Sequence, residues 1–307
     1  MLAQHTHSHT HNIKLLQTGE YIASSYVKFV ESAGARVVPI FYNSTTAELD
    51  TIFAAINGIL FPGGGTSIAN DTVIHQTANY LYNLTIASND ANNYFPLWGT
   101  CLGMEMIAIL TAANDAVLCA GCFSAENISL PLEFTELYAH SRMFSETTPE
   151  LLVSLANNNL TSNEHTSGVT VDEFQRNYAL ANFYNVLSVN RDQNGLEFVS
   201  TMEAVNYPIY AVQWHPEKVL KIFTQSSQKN KIEPITLLNG GRTTLNGTPN
   251  IISTTHATLC LCPNPWQTSL CLKRERVLTG VTGHFYHLNL QKRKKKTFHT
   301  HSLSRTH

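Results

Sequence analysis

Apolar positions along the first 220 residues fall into short blocks that alternate between two periods. Tyr26, Phe29, Val30 and Ala33 recur on one face at helical spacing and Gly34 supplies a stop, so residues 21–34 are expected to be helical. Residues 36–40 read as a short buried strand. Residues 46–56 repeat the helical pattern, and residues 58–61 read as a second strand, ended by Pro62 and the glycines 63 to 65. Residues 71–86 read as helix. Residues 95–98 form an extended stretch leading into Gly99, Cys101 and Gly103, with an apolar helix expected over residues 104–113. Residues 197–202 and 207–213 read as strands. This alternation predicts an α/β fold, with a mostly parallel central sheet flanked by helices on both faces.

The pattern weakens over residues 135–183, which read as insertions, and changes after residue 226. There Thr and Asn repeats, a Cys pair and the run Lys292 to Lys296 show no sustained period. Charge divides at the same place. Up to Phe223 there are 8 Lys+Arg against 20 Asp+Glu, and beyond it 12 against 2, within a formal net charge of -2. The expected organisation is one acidic domain over residues 1–223 and an unstructured basic tail over residues 224–307. An acidic domain gives no footing for nucleic acid, and no segment approaches a membrane span.

Six cysteines are too few for a disulfide-built scaffold, and Cys119-Ala120-Gly121-Cys122 is read as incidental. Sequons at Asn43, Asn83, Asn127, Asn159 and Asn246 permit a secretory history, although residues 1–11 are polar and His-rich and show no leader. No His, Cys, Asp or Glu grouping has metal-ligand spacing and no phosphate-binding glycine loop occurs, so no cofactor is expected.

Three segments can carry chemistry. Gly99-Thr100-Cys101-Leu102-Gly103 has the spacing of a nucleophile elbow, where a sharp strand-to-helix turn tolerates only small residues two positions from the nucleophile. The helix that follows would favour a thiolate at Cys101, so a depressed pKa is expected, unless Cys101 is simply a core thiol. Phe61-Pro62-Gly63-Gly64-Gly65 ends a strand, where backbone N–H groups can turn inward to hold an oxyanion; the plainer reading is a glycine turn. Val212-Gln213-Trp214-His215-Pro216-Glu217 ends another strand, with a base at His215 and a carboxylate two residues on to fix its tautomer.

These segments together resemble the gamma-glutamyl hydrolase family within the class I glutamine amidotransferase-like superfamily. The resemblance is carried by Tyr21 to Lys28, Ala33 to Ile40, Asn57 to Gly64, Trp98 to Gly103, Phe183 to Ser188 and Tyr207 to Lys218. It implies a three-layer, flavodoxin-like sandwich and hydrolysis of gamma-glutamyl amide bonds in folate or antifolate poly-gamma-glutamates. It implies Cys101 as nucleophile, His215 as base, Glu217 as third member, and Gly64 and Leu102 as oxyanion donors. Glu105 corresponds to a family carboxylate near the site, with Gly63 beside it. His165, in Asn163-Glu164-His165-Thr166-Ser167-Gly168, corresponds to an additional active-site His; by itself it would be a loop His. Lys28 and Arg36 are candidates to meet the anionic substrate.

The resemblance also implies a lysosomal, vacuolar or secreted glycoprotein, and leaves a homodimer open. Leu2-Ala3-Gln4 resembles the end of the family's first strand, so a secretion signal and most of that strand are expected to be missing. The sequence after Lys218 departs from the family. A glutaminase of the amidotransferase type and a non-catalytic remnant of the fold are the alternatives.

Overall fold

The computed structural model describes residues 1–5, 19–218, 254–261 and 270–277. In chain order its first elements are β1 (Gln4–His5), β2 (Glu20–Tyr21), α1 (Ser24–Ser32), α2 (Thr46–Ala55), β3 (Ile59–Phe61) and α3 (Val73–Asp90). There follow β4 (Leu97–Thr100), α4 (Leu102–Ala112), β5 (Ala125–Leu130), β6 (Glu133–Phe134), α5 (Pro149–Asn157), β7 (Thr161–His165) and α6 (Val171–Arg176). The last are α7 (Tyr178–Phe183), β8 (Tyr184–Arg191), β9 (Glu197–Ala204), β10 (Ile209–Val212), β11 (Thr254–Leu261) and β12 (Leu270–Val277).

Local chemistry starts and stops the helices. Thr45 and Glu48 form a reciprocal capping box on α2, and Thr72 caps α3. Thr148 precedes Pro149 at the first turn of α5, where a missing N–H costs nothing. Gly34, at φ 89°, ends the chain's run out of α1 as its position predicts.

The main sheet runs β3-β4-β10-β9-β8-β6. It is mixed: β3, β4 and β10 are parallel, whereas β9, β8 and β6 continue the sheet antiparallel. The period-2 alternation of the parallel strands buries both faces. Ile59, Phe61, Leu97, Ile209 and Ala211 join one core with residues of α3 and α4. Leu60, Trp98, Tyr210 and Val212 join the other, with Tyr26 and Phe29 of α1 and Leu151 and Leu155 of α5. Helices therefore cover both faces, giving the expected α/β layers. Apart from Glu105, α4 is apolar from Leu102 to Leu110 and buried throughout that span, as a helix at the centre of a domain must be.

Residues 1–3 extend the sheet beyond β3: Leu2 N–H donates to Leu60 O at 3.2 Å and Ala3 N–H to Ile40 O at 2.8 Å. The strand expected over residues 36–40 is only a single parallel bridge, Leu2 to Ile40. Pro39 has no N–H to give a ladder, and Val38 is 44% exposed.

A second pairing joins β5, which precedes the stretch read as insertions, to β7 inside it. In the stretch expected to be unstructured, β11 and β12 pair antiparallel, with Cys260 opposite Cys271. Lys292 to Lys296, Asn246 and the domain limit at residue 223 lie outside the described residues. Among the described residues, no helix is long and apolar enough to cross a membrane.

Candidate active site

Cys101 stands between β4 and α4 at φ 51°, ψ −112°, a conformation costly for any residue with a side chain. Its backbone is tied on both sides, Cys101 N–H donating to Val212 O at 2.8 Å and Cys101 C=O accepting from Glu105 N–H at 3.0 Å. The glycine spacing has the cause expected of it. A Cβ at Gly103 would lie 2.0 Å from Phe61 O, and one at Gly99 would lie 2.7 Å from Gly103 O. Only side-chain-free residues let α4 start this close to β3.

His215 follows β10, the strand beside β4, and its N–H donates to Ser162 O of β7 at 2.8 Å. Its Nδ1 lies 2.7 Å from Glu217 Oε1, with both side chains buried, so the Nδ1 hydrogen is directed at the carboxylate. Nε2 is buried and has no hydrogen-bond partner. A Cβ placed on Gly63 would touch His215 Cε1 at 2.8 Å and Cys101 Cβ at 3.1 Å, so imidazole and thiol meet over this glycine. The Tyr26 hydroxyl accepts from Gly63 N–H at 2.8 Å and lies 3.2 Å from His215 Nδ1. Burial, then the negative charge of Glu217, raises the Tyr26 pKa, so the hydroxyl stays protonated.

His165 closes the opposite side, at the end of β7. Its Nδ1 donates to Ser167 O at 2.9 Å and its buried Nε2 is unpartnered. Burial pushes its pKa down to about 4, so the ring is neutral with Nε2 an acceptor. Glu105, on the first turn of α4, is buried and accepts from Gln213 Nε2 at 3.0 Å; burial raises its pKa. Gln213 Oε1 is left unpartnered.

Cys101, Leu102, Glu105, His165 and Gly64 border an open cleft of about 490 Å³, with Asp115, Glu126 and Glu164 also on its walls. No Lys or Arg lines it among the described residues. The Cys101 thiol is pushed well up, by burial first and then by Glu105, against the opposing Leu102 N–H and Lys218. The expected depression is therefore not observed. A helix N-terminus contributes at most about 1–2 kcal/mol, less than the desolvation of a buried anion.

The structure thus brings together Cys101, His215, Glu217, Gly63, Gly64, Leu102, Glu105 and His165. It does not bring Lys28. Tyr26 faces the site, and two residues further along a helix points away, leaving Lys28 on the exposed face of α1. Among the described residues, Lys218 is the cation whose charge favours the thiolate. Tyr26 read as a core residue in the sequence, and its hydroxyl gave no separate signal. Gln213 sat unremarked in the segment that holds His215.

Cys119 and Cys122, read as incidental, are joined in a disulfide. The loop between them meets the His165 strand's exit, with Cys119 N–H donating to Gly168 O and Gly121 N–H to Ser167 Oγ. Among the described residues, no group of three or more His, Cys, Asp or Glu is arranged to hold a metal ion.

Residues 1–217 match the peptidase C26 family. The chain is 44% identical over 207 residues to gamma-glutamyl hydrolase B of Dictyostelium discoideum, covering 67% of this chain and 59% of that protein. It is 47% identical over 198 residues to gamma-glutamyl hydrolase of Rattus norvegicus, covering 64% and 61%. It is 37% identical over 199 residues to gamma-glutamyl hydrolase 1 of Arabidopsis thaliana, covering 64% and 56%. The chain spans about three fifths of the length of these curated relatives.

Proposed function

We propose that this chain, which belongs to the peptidase C26 family, hydrolyses gamma-glutamyl amide bonds, releasing glutamate or shorter polyglutamate from folate-type poly-gamma-glutamates. The observation that carries this reading is the convergence on Gly63 of a strained, buried Cys101 and a histidine whose far nitrogen is held by Glu217. The relatives' names supply the bond type.

The raised thiol pKa means that the resting nucleophile is protonated. Cys101 Sγ–H therefore gives its proton to His215 Nε2 as sulfur attacks the gamma-carbonyl carbon. Glu217 holds the hydrogen on Nδ1 and stabilises the imidazolium that forms. The carbonyl oxygen, now negative, takes hydrogen bonds from the N–H groups of Leu102 and Gly64. Collapse breaks the C–N bond, and His215 returns its proton to the departing amine. Water then adds to the thioester with His215 as base, freeing the new carboxylate and the thiol.

Polyglutamate is anionic and the cleft wall is acidic, so long-range attraction cannot carry binding. Recognition rests on short-range hydrogen bonds, for which the unpartnered acceptor His165 Nε2, on a residue that lines the cleft, suits a substrate N–H group. The asparagines of the four described sequons, Asn43, Asn83, Asn127 and Asn159, are all exposed. With the Cys119–Cys122 disulfide, this supports passage through an oxidising, glycosylating compartment.

The test is release of glutamate from a folate-type poly-gamma-glutamate by the purified chain, beside Cys101→Ala. Activity confined to the parent is expected. Equal release by Cys101→Ala would remove the thiol from the mechanism.

A further inference from the structure

Gln4 is buried, 4% exposed, and precedes every segment that carries chemistry. Its side-chain amide reaches the loop after β3, where Nε2 donates to Pro62 O and to Gly63 O, each at 3.1 Å. Contact with the next residue is closer still: a Cβ at Gly64 would lie 1.6 Å from Gln4 Oε1 and 2.4 Å from its amide carbon. Gly64 is therefore glycine because Gln4 occupies the space where a side chain would go.

The bonds to the two carbonyls have a directional consequence. No peptide bond here is cis, and in a trans peptide the C=O and the following N–H point in opposite directions. Holding Pro62 O on the Gln4 side turns Gly63 N–H away, and that N–H meets the Tyr26 hydroxyl at 2.8 Å. The same geometry one peptide on sends Gly64 N–H away from Gln4. Gly64 borders the cleft beside Cys101 and Leu102. Tyr26 occupies the first N–H, and the second points away from Gln4 on a residue that lines the cleft.

We propose that Gln4 is a positioning residue that presets the Gly64 N–H as an oxyanion donor by gripping the carbonyls of the two preceding residues. The proposal rests on the hydrolase reading for its kinetic consequence, but not for its geometry. A donor fixed before the reaction stabilises developing charge without reorganisation, and loss of one such donor costs roughly 10²–10³ in kcat. Releasing its anchor should cost somewhat less.

The experiment compares the parent chain with Gln4→Met, which keeps length and burial but cannot donate, and with Gln4→Glu, which keeps shape and loses the amide donor. Three quantities are read: hydrolysis kinetics, the rate of Cys101 alkylation by iodoacetamide, and the amide resonance of Gly64 in protein labelled with ¹⁵N-glycine. Expected are a fall in kcat of roughly 10–100-fold with KM little changed, unchanged alkylation, and a displaced Gly64 resonance. Alkylation forms no oxyanion, so it separates loss of the donor from loss of the site. Unchanged kcat, an unmoved Gly64 resonance, or alkylation falling in step with kcat would each overturn the proposal. Should the parent alkylate yet cleave no gamma-glutamyl amide, the hydrolase reading falls, and the Gly64 resonance alone then decides the role of Gln4.

Discussion

Two strands of this molecule, β10 and β7, each deliver a buried histidine to the surroundings of Cys101, and the two histidines are built differently. Each has Nδ1 engaged and Nε2 unpartnered. At the end of β10, Nδ1 faces a carboxylate, Glu217, which can offset the positive charge of an imidazolium. At the end of β7, Nδ1 faces a backbone carbonyl, Ser167 O, which fixes the tautomer but offers little against a full charge. Burial holds His165 neutral, down to about 4. The same ring on two neighbouring supports is thus suited to proton transfer in one place and to accepting a hydrogen bond in the other. The partner of Nδ1 makes the difference.

Substitution at His215 is the strongest way to break this comparison. His215→Asn should lower kcat/KM by roughly 10³–10⁴, as loss of a general base does; a fall under tenfold would hand the role of base to His165. Glu217→Gln comes next. It preserves shape while removing the charge, and should lower kcat by at least roughly 10² with little change in KM. An effect on KM alone would make Glu217 a binding residue instead.

The smallest effect on turnover is expected at His165, where the larger effect is on stability. Its folded pKa of about 4 lies below the ordinary value of 6.5, so between these the unfolded chain takes up a proton that the folded chain refuses. Stability from this group is complete above pH 6.5 and falls as pH drops towards 4, by about 3 kcal/mol in all. His165→Asn should flatten that part of the urea-denaturation profile relative to the parent while changing kcat less than tenfold. Parallel profiles for the two proteins would show that His165 is not held neutral.

What was legible in the sequence follows the range of the interactions involved. The helices Thr46–Ala55 and Val73–Asp90, the strand Ile59–Phe61 and the elbow are written in local spacing, turn glycines and caps. Cys101 and His215 could be picked out as candidates because strand ends and small residues frame them. β8 and the β5–β7 pair were not, because antiparallel pairing between distant segments leaves little trace in either segment alone. His165 is placed by that pairing, and only a family resemblance marked it. Tyr26 was assigned to the core on its helical spacing, correctly for the ring, while the hydroxyl's place beside Gly63 is a tertiary fact. The depressed thiol pKa failed because the helix terminus was considered without the burial around it.

The parallel ladder of β4 and β10 pairs Thr100 with Val212, so Cys101 and His215 leave adjacent strands from nearly the same level. Their separation is set by the spacing of neighbouring strands, and the hundred or so residues between them contribute no length to it. The length of the loops in the intervening chain is therefore free to vary. Strand β7 is the exception, because Ser162 O holds His215 N–H at 2.8 Å, whereas loops that touch neither residue can lengthen or shrink without altering the Cys101–His215 spacing. The register of a single strand pair thus uncouples loop length from the placement of Cys101 and His215.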